Sequence, residues 1–241
     1  MIQTMSQRLA GIKAQDIQAV LITAFDRRFS TLSTFRFVQE IIVRHLQAQE
    51  VIIGEDFRFG RNRSGDVKDL QRLGRRFGFM VYPVPAVIHQ EQVVSSSQIR
   101  LLLTEGKIEH ANALLGRPYE IEGKVIKGAA RGRTLGFPTT NTRTENEILP
   151  EGVFVTEAQI SGKIYPSVTN IGSRPTFREN MLQVESYLFD FQGNAYRKKI
   201  TLRFLKKLRA ERKFRTLSAL VKQIQKDIAA AHDFFSAAKR Q

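Results

Sequence analysis

Residues 153–168 read VFVTEAQISGKIYPSV: two apolar runs joined by Ser161-Gly162, a turn-forming pair. Similar runs recur at 119–126 (YEIEGKVI), 182–189 (LQVESYLF) and 199–205 (KITLRFL), with Gly152, Gly172 and Gly193 in the loops. Close spacing with no helix between the runs argues for an antiparallel barrel. Val184 and Glu185 must then face opposite sides, and Phe154, Tyr187 and Phe189 fall in core-like alternation. One helix closes the chain. Thr216 is its cap, and Leu217, Leu220, Val221, Ile224, Ile228 and Phe235 form its apolar stripe.

Upstream the pattern changes. Arg117-Pro118 marks a boundary, preceded by two short helices, at 97–104 ending near Gly106 and at 108–115 ending at Gly116. Earlier still, VLITAF (20–25) reads as a buried strand, 33–46 as a helix and 51–53 as a second strand. Asp66 then caps a helix carrying Val67, Leu70, Leu73 and Phe77, and 79–84 (FMVYPV) reads as a third strand. Strand, helix, strand, helix, strand implies a parallel, doubly wound sheet. Two domains are expected, 1–116 and 117–241.

The totals of this 241-residue chain are those of a globular protein, with 42% hydrophobic and 25% charged residues. It contains no cysteine, which excludes disulfides, thiolate metal sites and a thiol nucleophile. The N-terminal residues contain no long apolar run, so neither a signal peptide nor a membrane span is expected, and the chain reads as cytoplasmic. The net charge of +15 attracts polyanions, either a nucleic acid or a nucleotide polyphosphate. It is spread along the chain rather than gathered into a tail.

Residues 128–141 (GAARGRTLGFPTTN) combine the needs of phosphate chemistry. Gly128 and Gly132 permit close backbone approach, Arg131 and Arg133 offer charge-assisted hydrogen bonds, and Thr139 and Asn141 are hard oxygen donors suited to Mg²⁺. The segment lacks the spacing and lysine of a Walker loop, and Pro138 opposes a following helix. Taken alone, a solvated basic hairpin accounts for it equally well. Transfer of phosphate to a hydroxyl also calls for a carboxylate base, and Glu185 is the candidate.

Together these segments, with EGVFV, NIGSRPTF, VESYLFDF and LRAERKF in the same order, resemble the bacterial bifunctional riboflavin kinase/FMN adenylyltransferase, or FAD synthetase, family. The match runs from about Val51 to Phe234, and Pro138-Thr139-Thr140-Asn141 stands where that family has P-T-A-N. The resemblance implies an α/β plus β fold. A truncated Rossmann-like nucleotidylyltransferase domain would precede a six-stranded antiparallel β-barrel kinase with a C-terminal helix. It implies conversion of riboflavin and ATP to FMN and ADP, with FMN and FAD as the family's products. Thr139 and Asn141 would hold Mg²⁺; Gly128, Arg131, Gly132, Arg133 and Thr139 would bind ATP. Glu185 would be the base, and Arg209 and Phe214 would lie by the flavin. In the adenylyltransferase part, Asp56, Phe57, Ser96, Ser97 and Arg100 match family motifs. For Ser96 or Ser97, a plain helix N-cap is the competing reading.

One family motif is missing. Neither G-x-F-D-G-x-H-x-G-H nor any pair of close histidines occurs; the histidines are His45, His89, His110 and His232. The second site would lack its phosphate-binding helix N-terminus, and the sheet at least one strand. Both a piece of a bifunctional enzyme and a short form keeping only the kinase fit this, and either implies FMN without FAD. Alternatives are a basic barrel that binds RNA and a flavin-binding module without turnover. The kinase reading expects riboflavin, FMN and ATP as ligands, no nucleic acid or membrane, and a monomer or weak homo-oligomer.

Overall fold

A computed structural model describes residues 1–128, 132, 135–175 and 180–238. The chain forms two compact units, one of 18–94 and one of 1–17 with 95–241.

In the smaller unit, β1 (Glu50–Gly54) and β2 (Met80–Val84) pair in parallel, joined through α4 (Val67–Phe77). Asp66 starts α4 as expected: its carboxylate accepts from the Asp69 N–H at 2.9 Å, which holds that carboxyl below its usual range. Leu70 and Leu73 are buried, and Gly78 ends the helix at φ 85°. They pack with Val38, Ile42, Phe59 and Phe79 into one core. Val38 and Ile42 come from the expected helix, which is α-helical over α3 (Thr34–Phe37), capped by Ser33, and widens into a π-helix over Val38–His45.

The expected strand at 20–25 does not form. Those residues carry no regular structure, and Leu21, Ile22 and Phe25 are more than half exposed. An apolar run becomes a strand only where a neighbour offers backbone partners, and the described sheet here has two strands instead of three. A hairpin of β3 (Ile88–His89) and β4 (Gln92–Val93) completes this unit.

The larger unit is built on a closed six-stranded antiparallel barrel. Its strands are β5 (Tyr119–Ile126), β6 (Thr140–Thr144), β7 (Gly152–Ile160), β8 (Lys163–Pro175), β9 (Asn180–Leu188) and β10 (Lys199–Arg209). Around the barrel the order is β10-β5-β6-β9-β8-β7, with β10 also pairing β7 to close it. The polar run TNTRT was not read as a strand from sequence, yet as β6 it joins β5 to β9.

Alternation gives the barrel two distinct faces. Phe154, Ile171, Val184, Leu202 and Phe204 are buried inside it. Among them runs a chain of hydroxyls: Thr156 to Ser167 at 2.7 Å, Thr156 to Thr169 at 2.7 Å, and Thr169 to Ser186 at 2.8 Å. All four are fully buried, so each hydroxyl must find its partner within the protein. Tyr187 and Phe189, read from sequence as core-like, do pack in a core, but on the face opposite to that of Phe154. They pack outside the barrel with Val153, Val155 and Val168, under α7 (Leu217–Ala238). Phe189 stacks on His232 of that helix at 4.2 Å.

Three further helices complete the unit. Asn112 of α6 (Ile108–Leu115) donates to the Phe204 carbonyl at 2.8 Å and accepts from the Tyr119 N–H at 2.8 Å, docking that helix across β10 and β5. α5 (Ser96–Thr104) is capped by Ser95, whose side chain lies one residue before the Ser96 or Ser97 expected for that task. In α1 (Met5–Lys13) the buried Gln7 donates to the Glu120 carbonyl at 3.1 Å and accepts from Asn146 at 2.9 Å. α2 (Arg27–Ser30) is a single turn in the smaller unit.

Thr169→Val would leave Thr156 and Ser186 short of a partner inside the barrel. A loss of about 1–3 kcal/mol is expected, read as a lower urea midpoint with an unchanged slope.

Candidate active site

Strand register sets out the site. Asn141 on β6 pairs with Glu185 on β9, which pairs in turn with Asn170 on β8. The three side chains therefore form one row across three strands, with neighbouring Cβ atoms roughly 5 Å apart. Because Val184 and Ser186 point into the barrel, the row points out of it. There it meets a cavity of about 510 Å³ between the barrel wall and α7. Thr139, Asn170, Glu185 and Tyr187 line one side, and Leu220, Ile224 and Ile228 of the helix the other.

The glycines expected to cradle phosphate lie beside this row. A Cβ at Gly128 would run into the Asn141 side-chain amide, and one at Gly132 into the Phe137 carbonyl and towards the Thr139 hydroxyl. Backbone thus approaches both proposed metal-facing side chains as closely as glycine allows. Thr140, the residue that departs from P-T-A-N, turns the other way and donates its hydroxyl to the Ser186 carbonyl at 3.2 Å. Arg131 and Arg133 lie outside the described residues.

The far end of the cavity is basic and aromatic. Two register shifts in β10, between Phe204 and Lys206 and between Lys207 and Arg209, set Arg209 opposite Val153 on the outer face. Its guanidinium grips Asp227 of α7 through Nε at 3.0 Å and Nη2 at 2.8 Å. Gln223 donates to the same carboxylate at 2.7 Å. Asp227 is 93% shielded from solvent, so the pair ties helix to barrel in a poorly hydrated place. Arg209 and Arg212 both lie over the Phe214 ring, at 5.7 and 4.9 Å. The structure thus brings Gly132, Thr139, Glu185, Arg209 and Phe214 to one cavity, with Gly128 and Asn141 beside them.

Sequence reading missed Asn170, Tyr187, Glu211 and Asp227, all of which line the cavity. Asp227 carried a signal: it falls three residues after Ile224, on the apolar stripe of its helix, where a carboxylate needs a partner. Among the described residues no group of three His, Asp or Glu side chains could hold a metal.

The adenylyltransferase motifs are split between the units. Phe57 stacks on Phe59 at 5.6 Å in the smaller unit, with Asp56 in the adjacent turn. In the larger one Arg100 donates to the Ser97 hydroxyl at 3.1 Å, beside Ser96 in α5.

Comparisons with known proteins show the family. A riboflavin kinase family model matches residues 115–235, and an FAD synthetase model matches 1–98. The bifunctional riboflavin kinase/FMN adenylyltransferase of Haemophilus influenzae is 38% identical over 91% of this chain and 72% of its own length. The Escherichia coli enzyme of the same description is 35% identical over 97% of this chain and 75% of its own. The chain belongs to the bifunctional riboflavin kinase/FMN adenylyltransferase family. It is a riboflavin kinase, forming FMN from riboflavin and ATP, in a family that also adenylylates FMN to FAD. A crystal structure from Streptococcus pneumoniae, described as a macrolide-efflux protein, shares the fold at a TM-score of 0.88 and 27% identity. It covers 96% of this chain, which spans 75% of that one. Among the described residues of the present chain no helix is long and apolar enough to cross a membrane.

Asp227→Ala would strand the Arg209 guanidinium and remove the ion pair that ties α7 to the barrel, leaving the apolar contacts of the helix. A stability loss of roughly 3 kcal/mol is expected by thermal melting, with weaker riboflavin binding.

Proposed function

We propose that riboflavin and Mg-ATP meet in the cavity under α7, with Glu185 as the general base. The observation that carries this is the cross-strand row Asn141–Glu185–Asn170, in which Glu185 and Asn170 line the cavity and Asn141 stands beside it. Glu185 would take the proton of the ribityl 5′-hydroxyl as its oxygen bonds to the γ-phosphorus of ATP. The bond to the β,γ-bridging oxygen breaks and ADP leaves. In-line transfer of this kind is catalysed by positioning and by neutralising charge on the phosphoryl oxygens.

Thr139 and Asn141 suit Mg²⁺, which takes few protein oxygens and leaves its remaining positions to water and phosphate. The tight packing of Gly128 against the Asn141 amide supports the same placement. When bound, the ion would supply charge neutralisation at the phosphates. Gly128, Arg131, Gly132, Arg133 and Thr139 would hold ATP, and Arg209 and Phe214 would flank the isoalloxazine ring. Because Arg209 is already held by Asp227, it would present a fixed guanidinium edge rather than close on its ligand.

The kinase part is assigned to 117–241 and the adenylyltransferase part to 1–116, the order in which the two family models match. In the latter, Asp56, Phe57, Ser96, Ser97 and Arg100 are the remaining nucleotide contacts. Without the paired-histidine motif they lack the groups that hold ATP phosphates. The protein is assigned to the cytoplasm, as a monomer or weak homo-oligomer that binds riboflavin, FMN and ATP and no nucleic acid.

Incubation with riboflavin and Mg-ATP, followed by chromatography of the flavins, tests the reading. Glu185→Gln should lower kcat by about 10²–10⁴ with flavin binding retained; turnover at the parental rate would show that the base lies elsewhere. Asn141→Ala should raise the Mg²⁺ concentration needed for half-maximal rate. With FMN and ATP as substrates these 241 residues, which contain no paired-histidine motif, should yield no FAD, and FAD formed by the purified protein would refute that.

A further inference from the structure

Gly172 lies on β8 two residues beyond Asn170, on the same outer face. Its φ is not in the left-handed region, so backbone conformation does not require glycine there. Space does: the spot where a Cβ would stand is filled by the Glu211 carboxylate. That carboxylate also accepts from the Ser173 N–H at 3.2 Å through Oε2. Glu211 lines the cavity, in the stretch LRAERKF that also provides Arg209 and Phe214. One acidic side chain therefore joins the end of β8 to the segment bearing the aromatic wall.

We propose that Glu211 is a positioning residue for the flavin. It is a clasp that seats residues 209–214 against β8 and so sets the distance from Phe214 to the Asn170–Glu185 row. The proposal rests on flavin occupying this cavity. The link is exposed, and an exposed hydrogen bond of this kind contributes little to global stability. Its effect is confined to local geometry, where small displacements of a substrate wall are costly. The other two anchors of the segment act elsewhere: Arg209 is bound to Asp227 of α7, and Arg212 covers the Phe214 ring. Among the described residues of this segment, Glu211 is the one whose side chain hydrogen-bonds the strand that carries Asn170.

Steady-state FMN formation and thermal melting test this with Glu211→Ala, Glu211→Gln, Gly172→Ala and the double variant Glu211→Ala/Gly172→Ala. Glu211→Ala should raise KM for riboflavin about tenfold while KM for ATP stays within about twofold. Glu211→Gln keeps an acceptor for the Ser173 N–H and should recover most of that loss. Gly172→Ala expels the carboxylate without altering any charge and should reproduce Glu211→Ala. The double variant should be no worse than either single one, because both break the same contact. An unchanged riboflavin KM in Glu211→Ala and Gly172→Ala, equal rises in both KM values, or additive losses would each overturn the clasp. Phe214→Ala serves as control: if it too leaves riboflavin binding untouched, the cavity assignment has failed, and if it alone weakens binding, the clasp has failed.

Discussion

Strict alternation of side chains along strands that close on themselves is the constraint behind this molecule. Closure leaves no edge, so every barrel residue must face either inward or outward. The inward set is filled by Phe154, Phe204, Ile171 and the linked hydroxyls of Thr156, Ser167, Thr169 and Ser186. Everything chemical is thereby forced to the outer surface. Glu185 lies between Val184 and Ser186, two residues committed to the interior, so it cannot rotate away from the wall it occupies. The amides of Asn141 and Asn170 flank it for the same reason.

An outward-facing site on a barrel would be open to water, and α7 corrects this. The helix supplies Leu220, Ile224 and Ile228 as an apolar roof, and Asp227 fixes it by gripping Arg209. Two register shifts in β10 set that arginine opposite Val153, one of the outer residues that the helix covers. The outer aromatics Tyr187 and Phe189 belong to this second, smaller core between helix and barrel.

The barrel was legible because five of its strands are apolar runs, with Gly162 and Gly193 in turns between them; Gly172, expected in a loop, instead lies within β8, which runs on past it to Pro175. β6 was not: Thr140, Asn141, Thr142, Arg143 and Thr144 contain no hydrophobic side chain, and its place is secured by neighbours rather than by its own pattern. The opposite error occurred at 20–25, where an apolar run without a pairing strand stays unstructured. Chemistry followed a similar division. Residues in contiguous motifs, such as Gly132, Thr139 and Glu185, could be singled out from the sequence, and they line one cavity. Those that matter through distant partners could not: the tie between Glu211 and Gly172 exists only because separate segments meet, and one-dimensional spacing does not encode it.

The pairing of β10 has a consequence for how the protein is made. β5 waits at one open side and β7 at the other until residues 199–209 arrive between them. The contacts that seal the barrel thus join segments far apart in the chain, and such closures are slow. On the ribosome, α5, α6 and the first five barrel strands emerge before their last partner, leaving apolar edges exposed as synthesis proceeds. Catalytic competence waits for the final strand and for the helix behind it, since the cavity has no roof before both have joined the other five strands.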